Sequence, residues 1–152
     1  MKDLEVLTLY RNAVDVYENL MSSLCEKYNI SIAGFEILYY AYNNFNQITS
    51  SDIALWRGLK ANLVSLHIKN LVNSGHLRKE VVESDKRKLK LVCTNLVEPI
   101  IKEGEVIVRK YVDGILNGVS KRELEIYNKC LKAFAVNILD MKLNGEKGAK
   151  KD

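Results

Sequence analysis

Four cations fall within six residues in the run Asp85-Lys86-Arg87-Lys88-Leu89-Lys90. Lysine meets anionic oxygen as a point charge and arginine as a planar fork, so such a cluster suits a polyanion. It lies in VVESDKRKLKLVCTN (81–95), between the apolar, partly β-branched runs Val81-Val82 and Leu89 to Val92. That arrangement predicts a hairpin with a charged tip: strands at Leu77–Val82 and Leu89–Cys93. A second set lies just upstream. Val64, Ile68 and Leu71 recur at i, i+4 and i+7, a core-facing helical stripe. Lys60, Asn62, Ser65, Leu66, Lys69, Asn70 and Asn73 fall largely on other faces, where they can meet solvent or a nucleic-acid groove. Taken alone, the hairpin tip can equally be a solvated basic loop.

Charge is distributed unevenly. Residues 1–56 carry 3 basic and 7 acidic groups, residues 57–93 carry 9 and 3, and residues 94–152 carry 11 and 9. The middle third therefore holds a local excess of +6 in a chain of net +4, which points to a nucleic-acid partner.

Other chemistries find little support. Only two histidines occur, His67 and His76, both expected to pack or lie on the surface. No G-x-S-x-G, Walker loop or paired catalytic carboxylate stands out, so neither an enzyme nor a cofactor is expected. Cys25, Cys93 and Cys130 form no C-x-x-C pair and have no histidine at ligand spacing, so no metal site is expected. They read as small buried hydrophobes in a reducing compartment. The start, MKDLEVLTLYR, has acids where a signal peptide has a basic region, and no apolar run approaches a membrane span of about 18 residues. A cytoplasmic protein without a membrane partner is expected.

The elements that must position these groups follow from periodicity. Leu7, Tyr10, Val14, Tyr17, Met21 and Leu24 step by threes and fours along a first helix over 4–26, a seam for packing on another helix. Ser31 opens a second helix, with Phe35, Leu38 and Tyr42 on one face. A short third helix, capped by Thr49 or Ser50, stops near Gly58, and the fourth ends at Gly75, a left-handed cap. After the hairpin come helices over about 95–117, with Pro99 in its first turns, and from Ser120. Ser120 and Glu123 form a capping box there. Leu124, Tyr127, Leu131, Phe134, Ile138 and Met141 make another seam. The result is a mainly α chain with a small β-hairpin wing: a winged helix-turn-helix flanked by N- and C-terminal dimerisation helices. Residues 31–94 form the lobe, 1–30 and 95–143 the helical dimerisation region, and 144–152 a polar tail.

Val64-Ser65, Leu71, Gly75, Asp85-Lys86-Arg87 and Cys93-Thr94 together resemble the helix-to-wing pattern of the MarR (multiple antibiotic resistance regulator) family. Pro99 and NGVSKREL at 117–124 are similar to further family features. The resemblance covers about residues 4–142 and is strongest over 49–99. It departs at Leu63, where the family often has serine or threonine, at Leu66 and Lys79, where it has arginine, and at Cys93, where it has leucine. The two leucines can either contact thymine methyls or be buried.

The resemblance implies a homodimeric regulator, in most cases a repressor, of double-stranded DNA with a pseudo-palindromic operator. Lys60, Asn62, Ser65, Leu66 and Lys69 would face the major groove. Arg87 would enter the minor groove, and Lys86, Lys88 and Lys90 would meet phosphates. Asp85 would brace the wing through Arg78 or Lys79. A small aromatic effector would lodge near Tyr17, Tyr39, Tyr40 and Trp56. Two alternatives stand beside this reading: a winged-helix module for a protein partner, and a thiol-based sensor using Cys25.

Overall fold

Three hydroxyl side chains set three helix starts in the computed structural model, which describes residues 3–45, 47–83 and 85–148. Ser31 Oγ accepts from the Gly34 amide to open α2 (Ile32–Asn43). Thr49 and Asp52 cap each other at the start of α3 (Ser50–Arg57). Ser120 and Glu123 do the same for α6 (Lys121–Gly148). Each reciprocal box satisfies amides that a helix start leaves without an intrahelical partner.

The remaining elements are α1 (Asp3–Tyr28), β1 (Ile48–Thr49), α4 (Ala61–Asn73), β2 (Leu77–Val82), β3 (Asp85–Cys93) and α5 (Val97–Ile115). The strands form an antiparallel sheet in the order β1-β3-β2. The hairpin was expected from its two apolar, partly β-branched runs, but β3 begins at Asp85 rather than Leu89, and the third strand was not expected. Ile48 and Thr49 pair with Leu91 and Lys90, a segment too short to show a period of two. Helix α6 also continues to Gly148, through residues 144–148 of the expected polar tail; 149–152 lie outside the described residues.

The chain divides into two compact units, residues 1–112 and 113–152, with the boundary in the last turns of α5. The core of the first unit joins Met21 and Leu24 of α1, Phe35, Ile37 and Leu38 of α2, and Ile53 of α3. Val64, Ile68 and Leu71 of α4, Leu77 and Leu91 of the sheet, and Val97, Ile100 and Ile101 of α5 complete it. The expected stripe on α4 is thus the buried one. Helix α5 is fastened to α1 by Glu103, which accepts from Lys27 Nζ at 2.6 Å and Tyr28 OH at 2.7 Å. Tyr111 OH donates to the Ala13 carbonyl at 2.8 Å.

The first half of α1 behaves differently from its second half. Leu7, Tyr10 and Val14 are about half exposed, whereas Met21 is fully buried on the same seam. In the second unit, α6 likewise exposes Tyr127, Phe134, Ile138 and Met141. No helix of the described residues is long and apolar enough to cross a membrane.

Helix α5 approaches α2 closely at Gly104, where an added Cβ would overlap the Phe35 ring. Both residues are buried, so the ring has little room to yield. Gly104→Ala is therefore expected to lower the unfolding free energy by about 1–3 kcal/mol, and Gly104→Ala with Phe35→Leu to recover part of it. Urea unfolding checks both; a neutral Gly104→Ala would mean that the two helices can move apart freely.

Candidate nucleic-acid interface

The turn between α3 and α4 is only Gly58-Leu59-Lys60, with Gly58 in the left-handed region (φ 61°). Such a short connection holds two helices in helix-turn-helix geometry. Helix α4 (Ala61–Asn73) is preceded by an extended Lys60 that supplies no side-chain cap, so no capping side chain competes with an anion at its start. At the other end, Gly75 takes φ 78° and the His76 amide donates to the Leu71 carbonyl at 2.9 Å. This six-to-one closure is the Schellman stop expected of a glycine here. Thr94 then ties the last strand to that stop: its hydroxyl donates to the Gly75 carbonyl at 2.8 Å and its amide to the His76 carbonyl at 3.0 Å. The helix end and the base of the hairpin are one hydrogen-bonded unit.

With Val64, Ile68 and Leu71 inward, α4 exposes Asn62, Ser65, Leu66, Lys69 and Asn70, and Lys60 is exposed at its cap. Leu63 and Leu66 are 43% and 52% exposed, which decides between the two fates open to them: neither is a core residue.

At the hairpin tip, Lys86, Arg87 and Lys88 are exposed. Asp85 is the organiser, but not with the expected partners. Its Oδ1 accepts from the Arg87 amide at 3.1 Å, and Lys88 Nζ lies 4.0 Å away. Asp85 faces Val82, while Arg78 faces Val92 and Lys79 faces Leu91, several rungs of about 3.4 Å down the ladder. Arg78 instead donates to Glu80 at 2.6 Å, and Glu80 also pairs with Lys90 at 3.5 Å. The wing therefore has two ionic clusters, one at its tip and one along its length, and Lys90 belongs to the second.

The four aromatics of the expected effector pocket separate into different contacts. Tyr40 and Trp56 stack at 4.3 Å between centroids. Tyr17 lies tilted against Tyr111 at 5.5 Å, and Tyr39 packs against Phe35 at 6.0 Å. A cleft of about 450 Å³ lies elsewhere, lined by Asn29, Ser31, His67, Asn70 and Asn73 among others, and by none of those four.

Pattern reading missed an ion pair that neighbours one of these aromatics, Tyr17. Glu36 of α2 forms an ion pair with Arg57 at the end of α3 and interacts with Tyr17 of α1. Burial raises the Glu36 carboxyl, Arg57 opposes the shift, and Glu18 adds to it. Burial likewise pushes the Tyr17 hydroxyl far up, with the Glu36 charge adding to the shift. The available signal was that Glu36 is the lone charge in the apolar helix IAGFEILYYAYN.

Cys130 is exposed and Cys93 only half-buried, not buried as expected, and neither Cys25 nor Cys93 has the environment of a sensor thiol. Burial raises Cys25, and it pushes Cys93 up to about 11, opposite to the depressed value a reactive thiolate needs. Among the described residues no cluster of histidine, cysteine and carboxylate groups could hold a metal.

No protein-family model matches the sequence. Many solved structures share its architecture. A MarR-type regulator from Listeria monocytogenes complexed with a 26mer DNA superposes with a TM-score of 0.83 at 21% identity, covering 100% of this chain and 99% of that one. The Staphylococcus aureus MepR–DNA complex gives 0.69 at 19% identity, over 88% and 95%. CouR from Rhodococcus jostii RHA1 bound to p-coumaroyl-CoA gives 0.74 at 12% identity, over 86% and 91%. The fold is that of the MarR transcription regulators. Within this MarR-type fold, α3 and α4 are the helix-turn-helix and β2–β3 the wing.

Glu36 yields a pH test. Its folded-state value lies above the ordinary 4.5, so the folded chain holds this proton more tightly than the unfolded one. The resulting stabilisation is present below about pH 4.5 and is lost as pH rises through the folded value. Wild type should therefore lose stability relative to Glu36→Gln between pH 4.5 and 8 in urea unfolding. Parallel profiles would show that Arg57 and Tyr17 compensate the burial fully.

Proposed function

We propose that this chain is a sequence-specific regulator of transcription, most simply a repressor, that binds double-stranded DNA as a homodimer. The observation that carries the reading is the outward face of α4, polar and basic around an open helix start, hydrogen-bonded at its far end to a hairpin with a cationic tip. The same architecture occurs in proteins solved in complex with DNA.

In this reading α4 enters the major groove with its N-terminal turns, where Lys60, Asn62, Ser65 and Lys69 reach base edges and phosphates. Arg87 inserts into the minor groove, whose negative potential is strongest where A·T pairs narrow it. Asp85 fixes the Arg87 backbone through its amide, which anchors the residue at the hairpin tip. Lys86 and Lys88 supply phosphate contacts that add affinity without sequence information. Lys90, held by Glu80, is the weakest of the basic contacts.

Dimerisation is supported by the apolar faces that α1 and α6 each leave exposed, because isolated soluble chains rarely expose contiguous apolar stripes. The segments 1–30 and 95–143 would supply the interface and 31–94 the DNA-binding lobe. A two-fold pair of recognition helices requires half-site centres about one helical turn, roughly 34–36 Å, apart. A small aromatic effector is assigned to the surroundings of Tyr40 and Trp56, because Arg57, next to Trp56, ends the helix that leads into α4. A ligand favouring one arrangement there would shift the population of DNA-competent dimers. The ligand-bound CouR neighbour supports that part of the reading.

Selection of duplexes from a random library at about 150 mM salt is expected to recover a pseudo-palindrome with A·T pairs at the wing positions. Arg87→Ala should weaken binding to that duplex at least tenfold, about 1.4 kcal/mol, with the dimer unchanged by sedimentation. Unchanged affinity would remove the wing from the interface.

A further inference from the structure

Leu66 stands out on the face that the proposed function places in the groove. It is 52% exposed, and at about 100° per residue it points almost directly away from the buried stripe of Val64, Ile68 and Leu71. Its neighbours one turn away, Asn62, Lys69 and Asn70, are all exposed and polar. Leu63, 43% exposed, borders it on the N-terminal side.

A leucine in that position makes a chemical demand on the base it meets. The major-groove edges of guanine, adenine and cytosine present acceptors and amino donors, and only thymine adds an apolar group, its C5 methyl. Covering N7, O6 or an amino group with an isobutyl side chain removes water from it and returns no hydrogen bond, which is costly. Against a thymine methyl the same contact buries apolar surface on both sides and strands nothing.

We infer that Leu66 is a specificity-determining residue that reads a thymine methyl in each half-site, with Leu63 closing the side of that contact. Lys69 on one side supplies the positive charge, and Asn62 on the other a hydrogen-bonding amide, that bring this leucine to DNA. The inference rests on the proposed DNA-binding function and adds which base stands under the middle of α4.

The test uses the tightest duplex recovered from a random library, with thymines replaced one position at a time by deoxyuridine, which lacks only the methyl. Wild type should bind one symmetric pair of replacements more weakly by about fourfold per half-site, equivalent to about 0.8 kcal/mol for one methyl-sized group. Leu66→Ala, an exposed helix position where alanine is well tolerated, should bind thymine and uracil duplexes equally at that pair. Specific binding that is blind to every replacement overturns the inference and leaves the DNA-binding function standing. Discrimination that survives in Leu66→Ala assigns the methyl to another residue and overturns it as well. Recovery of no preferred duplex overturns both, and capture of a protein through the same leucine face would then account for its exposure.

Discussion

Burial of Val64, Ile68 and Leu71 fixes the rotation of α4 about its axis, and the character of the outward face follows from that. Three apolar side chains at i, i+4 and i+7 define one stripe. Once that stripe is seated in the core, Asn62, Leu66 and Lys69 have no choice but to point outward. The Schellman stop at Gly75 and the two hydrogen bonds from Thr94 then carry the constraint into the hairpin. A rotation of α4 would therefore strain the wing, and α4 and the hairpin act as one body.

The wing itself shows how a cationic loop can be ordered without losing its charge. Asp85 spends one oxygen on the Arg87 amide and leaves the guanidinium exposed. Glu80 pairs with both Arg78 and Lys90 further down the strands and offsets part of their charge. Exposed pairs of this kind add little stability.

Much of this was legible in the sequence, for identifiable reasons. Helical periodicity marked α1, α4 and α6, side-chain oxygens marked the starts at Ser31, Thr49 and Ser120, and Gly75 marked the stop of α4. These signals are local, so they survive without knowledge of the fold. What escaped depends on tertiary pairing. Strand β1 is two residues long and exists only because β3 lies beside it. The partner of Asp85 depends on hairpin register, which the bulge between Val81 and Val82 alters. The exposure of Leu63 and Leu66 depends on which helical face the core claims. The Glu36–Arg57 pair joins residues on two helices that sequence alone cannot place together.

The most direct measurement is amide hydrogen exchange of the full chain with and without a duplex selected from a random library. Slowing concentrated in the first turns of α4 and at residues 85–90 of the hairpin is expected, because those amides lie at or beside the proposed contacts. Slowing confined to other segments, or no change under saturating duplex, would contradict the assignment of this surface to DNA.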